Sequence, residues 1–238
     1  MKHKDNFALF QGLHNASIEA ARQRISKGQT YKDLSTVVII PTRGMVHMKV
    51  LMSWRGLIQP MNQKVFWLPV IGMEVGEAYN WAVEQVLANP ELSKWKYILT
   101  LEEDNMPPPD GLMRLYEGIE KFDVVGGLYW TKGVEGQPMI YGNPGVMPKN
   151  FIPQMPTQDA LQEANGLGMG FNLFKMSMFK KIQKPWFKTL QHYEPGVGTR
   201  MYTQDLYFYE NAAKSGFKFA CDTRVKVGHF DAQNDMIW

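Results

Sequence analysis

Thr36-Val37-Val38-Ile39-Ile40 is an almost wholly apolar, β-branched run that stops at Pro41. It has no polar face to turn toward water, so it reads as a strand buried on both sides, in a sheet that helices must cover. Tyr97-Ile98-Leu99-Thr100-Leu101 reads the same way. Val65-Phe66-Trp67-Leu68 is the next strand, and Asp123-Val124-Val125-Gly126 begins a further one. Residues 75–87 and 111–119 carry helical patterns between them. Strands alternating with helices predict an α/β fold with a largely parallel core.

A chain of 238 residues suits one ordinary domain. With 45% hydrophobic and 21% charged residues it is a globular rather than a disordered sequence. No apolar run approaches the ~20 residues that cross a bilayer, and Met1-Lys2-His3-Lys4-Asp5 leads into no apolar leader. Cys221 is the only cysteine, which excludes an intrachain disulfide and a cysteine zinc site. A reducing, cytoplasmic setting is expected. Residues 1–30 read as a weakly amphipathic helix through Ala8, Leu9, Leu13, Ile18, Ala21 and Ile25, stopped at Gly28. The expected division is a helical extension over 1–35 and one domain over 36–238.

Beyond residue 128 the texture changes. Residues 129–157 are rich in Gly and Pro and read as a loop excursion with at most one hairpin. A helix is expected over 175–182, ending before Pro185. A loop over 191–202, a helix over 204–214 and two short strands over 217–220 and 224–227 complete the chain.

The chemistry is concentrated in Glu102-Glu103-Asp104, three acids emerging directly from the apolar strand that ends at Leu101. Open α/β sheets place ligands at the C-terminal ends of their strands. Strand alternation puts Glu102 and Asp104 on one side and Glu103 on the other. Two carboxylates so placed call for a hard divalent cation, Mg²⁺ or Mn²⁺, sharing its shell with phosphate oxygens. The same acids also suit an exposed turn that caps the helix after Pro107-Pro108-Pro109.

Taken together, the strand with Pro41-Thr42 and the apolar strand ending in Glu102-Glu103-Asp104 resemble the GT-A glycosyltransferases, family 2-like members especially. The resemblance implies a mixed, mostly parallel sheet flanked by helices and a nucleotide-sugar donor, with a UDP-sugar expected. It makes the three acids the counterpart of the family's DXD element, with Glu in place of the first Asp. Asp104 is then the metal ligand, Glu102 contacts the donor ribose or the metal, and Glu103 faces the donor. Pro41, Thr42 and Arg43 fall where the family grips base and ribose, and Glu74 to Asn80 where a helix runs beside the nucleotide. One place departs: Pro69-Val70-Ile71-Gly72-Met73 stands where the family has an Asp-rich turn that reads the base.

Thr203-Gln204-Asp205 opens a helix and resembles the family's acidic pair, with Gln replacing the first acid. Asp205 then falls at the position of the general base, favouring inversion; an ordinary helix-start Asp offsetting the helix dipole is the alternative. Val227-Gly228-His229 offers a late imidazole as a further metal ligand, with Asp231 as the weaker choice. Gly166-Leu167-Gly168-Met169-Gly170 suggests backbone closely approached by a ligand, before a helix. For the acceptor, Gly168, Trp130, Lys180, Lys184 and Trp186 are candidates, with Tyr129 and Phe187 as further rings. Residues 171–190 hold five lysines and no acid, which allows a polyanion such as DNA carrying hydroxymethylated pyrimidines. Two rivals share parts of the pattern: a nucleotidyltransferase and a non-catalytic carbohydrate-binding protein of the same fold.

Overall fold

The structure, a computed structural model, describes residues 32–196 and 198–238. The helix expected over residues 1–30 lies outside them.

In chain order the strands are β1 (Thr36–Thr42), β2 (Val65–Ile71), β3 (Tyr97–Leu101), β4 (Asn105–Met106), β5 (Val124–Leu128), β6 (Ile140–Tyr141) and β7 (Leu161–Ala164). They continue as β8 (Gly166–Leu167), β9 (Phe171–Lys175), β10 (Leu190–Glu194), β11 (Gly198–Tyr202), β12 (Phe219–Lys226), β13 (Gly228–Asp231) and β14 (Met236–Ile237). The helices are α1 (Met48–Gly56), α2 (Val75–Ala88), α3 (Gly111–Gly118) and α4 (Gln204–Lys214).

Seven strands form one sheet in the order β2-β1-β3-β9-β5-β12-β7. Strands β2, β1, β3, β5 and β12 run the same way, while β9 and the edge strand β7 run against their neighbours. This is an α/β, GT-A-like arrangement. Alternation along β1 explains the layering. Val37 and Ile39 belong to one core with residues of α2 and α4, and Val38 and Ile40 to the other with residues of α1 and α3. Five consecutive buried residues in β3 confirm that it is covered on both faces.

Four segments differ from expectation. The helix expected over 175–182 is instead the end of β9 and a single 3₁₀ turn, Met176–Met178. Met176, Met178, Phe179 and Ile182 are all buried there, and a compact turn seats them in the core as the chain leaves the sheet. The glycines of 166–170 accordingly lead into a strand, not a helix. The loop expected over 191–202 is an antiparallel hairpin, β10 with β11. Gly196 (φ 84°) and Gly198 (φ 105°) supply its left-handed turn. The two strands expected after Gly216 are one strand, β12, with a register shift between Asp222 and Lys226.

Beneath α4, Phe208 is fully buried and stacks on Phe187 with centroids 4.9 Å apart and planes at 12°. Phe174 and Phe179 meet the same ring at 5.4 and 5.6 Å. Phe208→Ala should lower stability by about 3–5 kcal/mol, measured by urea unfolding, because such a packed site collapses poorly around the cavity.

Candidate active site

The site begins where β3 leaves the core. Past Leu101 the chain turns instead of continuing as a strand: the Glu102 N–H donates to Gly170 O at 3.1 Å and the Asn105 N–H to Glu102 O at 3.0 Å. This turn overrides the strand alternation expected for the acids. Glu102, Glu103 and Asp104 all line one cleft of about 440 Å³, together with Pro41, Thr42, Arg43, Met73, Val75, Lys132 and Gln204.

Each acid is held differently. Glu103 accepts from Thr42 Oγ1 at 2.7 Å, from the Arg43 N–H at 2.8 Å, and from Arg43 Nε. Partial burial opposes its charge, but these donors outweigh it and hold the carboxyl below its usual range. Glu103 is thus a strut from the turn to the end of β1. Glu102 accepts the Tyr79 hydroxyl at 3.2 Å. Burial, then the charges of Asp104 and Asp205, push Glu102 up to about 8, so at neutral pH it is mostly protonated. Burial also opposes ionisation of Asp104, but hydrogen bonds and charges from His229 and Lys132 prevail and hold it at about 2.

His229 reaches Asp104 through strand register. β13 pairs antiparallel with β4, setting His229 opposite Asn105, and the Phe230 N–H donates to Asp104 O at 2.7 Å. The imidazole Nε2 lies 3.4 Å from Asp104 Oδ2, while Nδ1 lies 2.7 Å from the Trp130 carbonyl oxygen. A carbonyl only accepts, so Nδ1 carries the hydrogen and Nε2 is the ring nitrogen turned toward Asp104. Metal-binding histidines are oriented this way by a backbone carbonyl. Among the described residues no three His, Cys, Asp or Glu converge into a complete metal shell. Asp104 and His229 fit the protein's share of an open Mg²⁺ or Mn²⁺ site, in which substrate phosphates take the other positions.

Lys132, which the sequence reading missed, places Nζ 2.6 Å from Asp104 Oδ2. It sits in a narrow loop closed by a Trp130–Pro138 bridge and by the Thr131 N–H donating to Gln137 O at 2.9 Å. The only cue in the sequence was a lysine between Thr131 and Gly133, in a segment without usable periodicity.

Asp205 stands in the first turn of α4, beside the cleft-lining Gln204, and is itself 7% exposed. Its Oδ1 accepts from the Leu206 N–H at 2.9 Å and from Thr203 Oγ1. Burial raises its proton affinity against those hydrogen bonds. The Thr189 hydroxyl lies 3.3 Å from Glu74 Oε1 and 3.5 Å from Gln204 Oε1, tying the starts of α2 and α4 together at the cleft.

Other expected site residues are spent on structural contacts or lie away from the cleft. Glu74 caps α2 by accepting the Glu77 N–H. Asn80 is used up on the backbone of Trp186 and Phe187. Tyr129, Trp186 and Phe187 are at most 2% exposed and offer no ring to a ligand. Trp130 meets the site through its carbonyl. A Cβ on Gly168 would fall 2.2 Å from Tyr129 Oη, and one on Gly170 2.5 Å from Asn105 Oδ1, so these glycines serve internal packing. Lys180 donates to Ser93 O, and β9 pairs Lys175 with Tyr97, at the opposite end of β3 from the acids. Lys184 pairs with Glu84 and lies over Trp186. None of these lysines lines the cleft. Asp231 bonds within its own turn, to Gln233 and Asn234.

No helix among the described residues is long and apolar enough to cross a membrane. No protein-family model matches the sequence, and no curated protein sequence matches it significantly. Among solved structures, A197 from STIV is similar at 20% identity and a TM-score of 0.59, over 85% of this chain and 92% of that one. S. aureus TarS 1-349 is similar at 15% identity and a TM-score of 0.45, over 79% of this chain and 57% of that one. The same TarS fragment in complex with UDP-GlcNAc gives 13% identity and a TM-score of 0.42, over 79% and 55%. At these identities the likeness is one of fold alone.

Proposed function

We propose that the chain is a metal-dependent glycosyltransferase that moves a sugar from a nucleotide-sugar, with a UDP-sugar as the expected donor, to an acceptor hydroxyl with inversion. The observation that carries this reading is the turn after β3. It presents Asp104 to His229, and Glu103 to Thr42 and Arg43, in one cleft at the C-terminal edge of the sheet. The starts of α2 and α4 at the same cleft add partial positive charge that favours a diphosphate.

In this reading Pro41, Thr42 and Arg43 border the nucleoside, and Asp104 and His229 would hold Mn²⁺ or Mg²⁺. A bound ion would supply positive charge to the leaving diphosphate. Asp205 accepts the acceptor's proton as its oxygen bonds to the anomeric carbon and the carbon–phosphate-oxygen bond breaks. Burial supports that role, since a carboxylate with raised proton affinity is the better base at neutral pH. With Lys180, Lys184 and Trp186 away from the cleft, a DNA acceptor draws no support from them. Hydroxymethylated pyrimidine DNA therefore enters the acceptor screen beside free and lipid-linked sugars.

Incubation with a nucleotide-sugar panel and Mn²⁺ should release nucleoside diphosphate. Pyrophosphate released from a nucleoside triphosphate would instead identify a nucleotidyltransferase, and no product a binding protein. Asp104→Ala should abolish turnover and the metal-dependent part of donor binding with an unchanged melting temperature; near-normal activity of the variant in EDTA would refute the metal assignment. Asp205→Asn should keep donor and metal affinity while turnover falls by about two to four orders of magnitude. If it unfolds or keeps its rate, Asp205 is a helix cap and not the base.

A further inference from the structure

The crowding around Asp104 Oδ2 has a consequence for Lys132. One carboxylate oxygen has an ammonium at 2.6 Å and an imidazole nitrogen at 3.4 Å. A divalent ion on that oxygen would sit at about 2.1–2.5 Å, within a few ångströms of the ammonium. Two cations that close, one doubly charged, repel strongly in a half-buried site. Lys132 and an ion therefore compete for Asp104, unless the ammonium has an anion to move to.

The cleft limits where that anion is. Its two lining cations among the described residues are Arg43 and Lys132. Arg43 is bound to Glu103, with its side chain 88% exposed at the mouth. Lys132 is the one beside the carboxylates, with 33% of its side chain exposed. Its loop is anchored at the base, where Trp130 O meets His229 Nδ1 and Trp130 pairs with Pro138. The lysine's own four-carbon stem is then what moves, a few ångströms, without rearranging the fold.

We infer that Lys132 is a diphosphate-binding residue that exchanges Asp104 for a phosphate oxygen of the donor, so that donor binding frees Asp104. The inference rests on the nucleotide-sugar reading above. It adds a protein-borne cation to the leaving-group side of the cleft and makes nucleotide and metal binding mutually reinforcing. The ammonium moves from one anion to another, and the carboxylate it leaves is open to a cation.

Calorimetry tests this with UDP, ADP, GDP and CDP, each beside its nucleoside, on the wild type, Lys132→Met and Lys132→Arg, without metal. For the diphosphate the wild type binds best, Lys132→Met should weaken binding by about tenfold or more, as loss of a charged hydrogen bond does, and leave the nucleoside's affinity unchanged. Lys132→Arg should retain most of the affinity. Titration with Mn²⁺ alone should show tighter binding to Lys132→Met than to the wild type. Unchanged diphosphate affinity in Lys132→Met, an equal loss for the nucleoside, or weaker Mn²⁺ binding would reduce Lys132 to a strut on Asp104. If the wild type binds none of the four diphosphates, the nucleotide-sugar reading fails, and this inference with it. The two failures are told apart by the wild type, which binds a diphosphate when only the Lys132 inference fails and binds none when the nucleotide-sugar reading fails.

Discussion

A strand buried on both faces can carry charge only past its last covered residue, and the cleft is built on the way the chain escapes from β3 after Leu101. Glu102 closes onto Gly170 through its N–H, and Asn105 closes back onto Glu102. Those two backbone bonds fold three consecutive acids into one turn at the sheet's C-terminal edge. The neighbours then follow by pairing. β1 ends alongside, so Thr42 and Arg43 meet Glu103; β4 continues from the turn, so β13 can dock on it and bring His229 to Asp104. Glycine at 170 lets Asn105 pack directly against that backbone.

The turn would be electrostatically untenable if all three acids were equivalent, and their surroundings make them unequal. Glu102 accepts from the Tyr79 hydroxyl and lies near two other carboxylates, so burial and their charges leave it mostly neutral. Glu103 is ionised and consumed by Thr42 and Arg43. Asp104 is ionised as well, and its carboxylate is turned to Lys132 and His229. Negative charge is thereby focused on a single oxygen with a lysine and an imidazole around it. A low-dielectric cleft amplifies that focusing, because the attraction between charges grows as the surrounding water is excluded.

The aromatic layer under α4 serves the same site from behind. Phe208 and Tyr209 are buried among Phe174, Phe179, Phe187 and Phe219, which fixes the helix whose first turn holds Asp205. Asn80 clamps the 186–187 backbone to α2. Residues that looked like ligand platforms in the sequence are thus the scaffold that aims the cleft. The lysines of 175–184 face a different end of the molecule.

By itself the sequence determined strands β1, β2, β3 and β5, the helices at 75–88 and 204–214 within a residue, and the chemical identity of the acidic element, but not β9 at the centre of the sheet, nor α1. These follow from local rules: β-branched runs, helical spacing, and charge breaking out of an apolar strand. Asp104, Asp205 and His229 were singled out by the resemblance to the GT-A glycosyltransferases and not by local rules, since an Asp at a helix start is common. Only the tertiary structure decided that Glu103 shares the cleft with Glu102 and Asp104, since the turn depends on a hydrogen bond to Gly170, 68 positions away. It alone placed Lys132, whose loop has no periodicity to read. And it alone turned the 175–182 segment away from a helix, because the need to bury four apolar side chains in one core outweighed local helix propensity there.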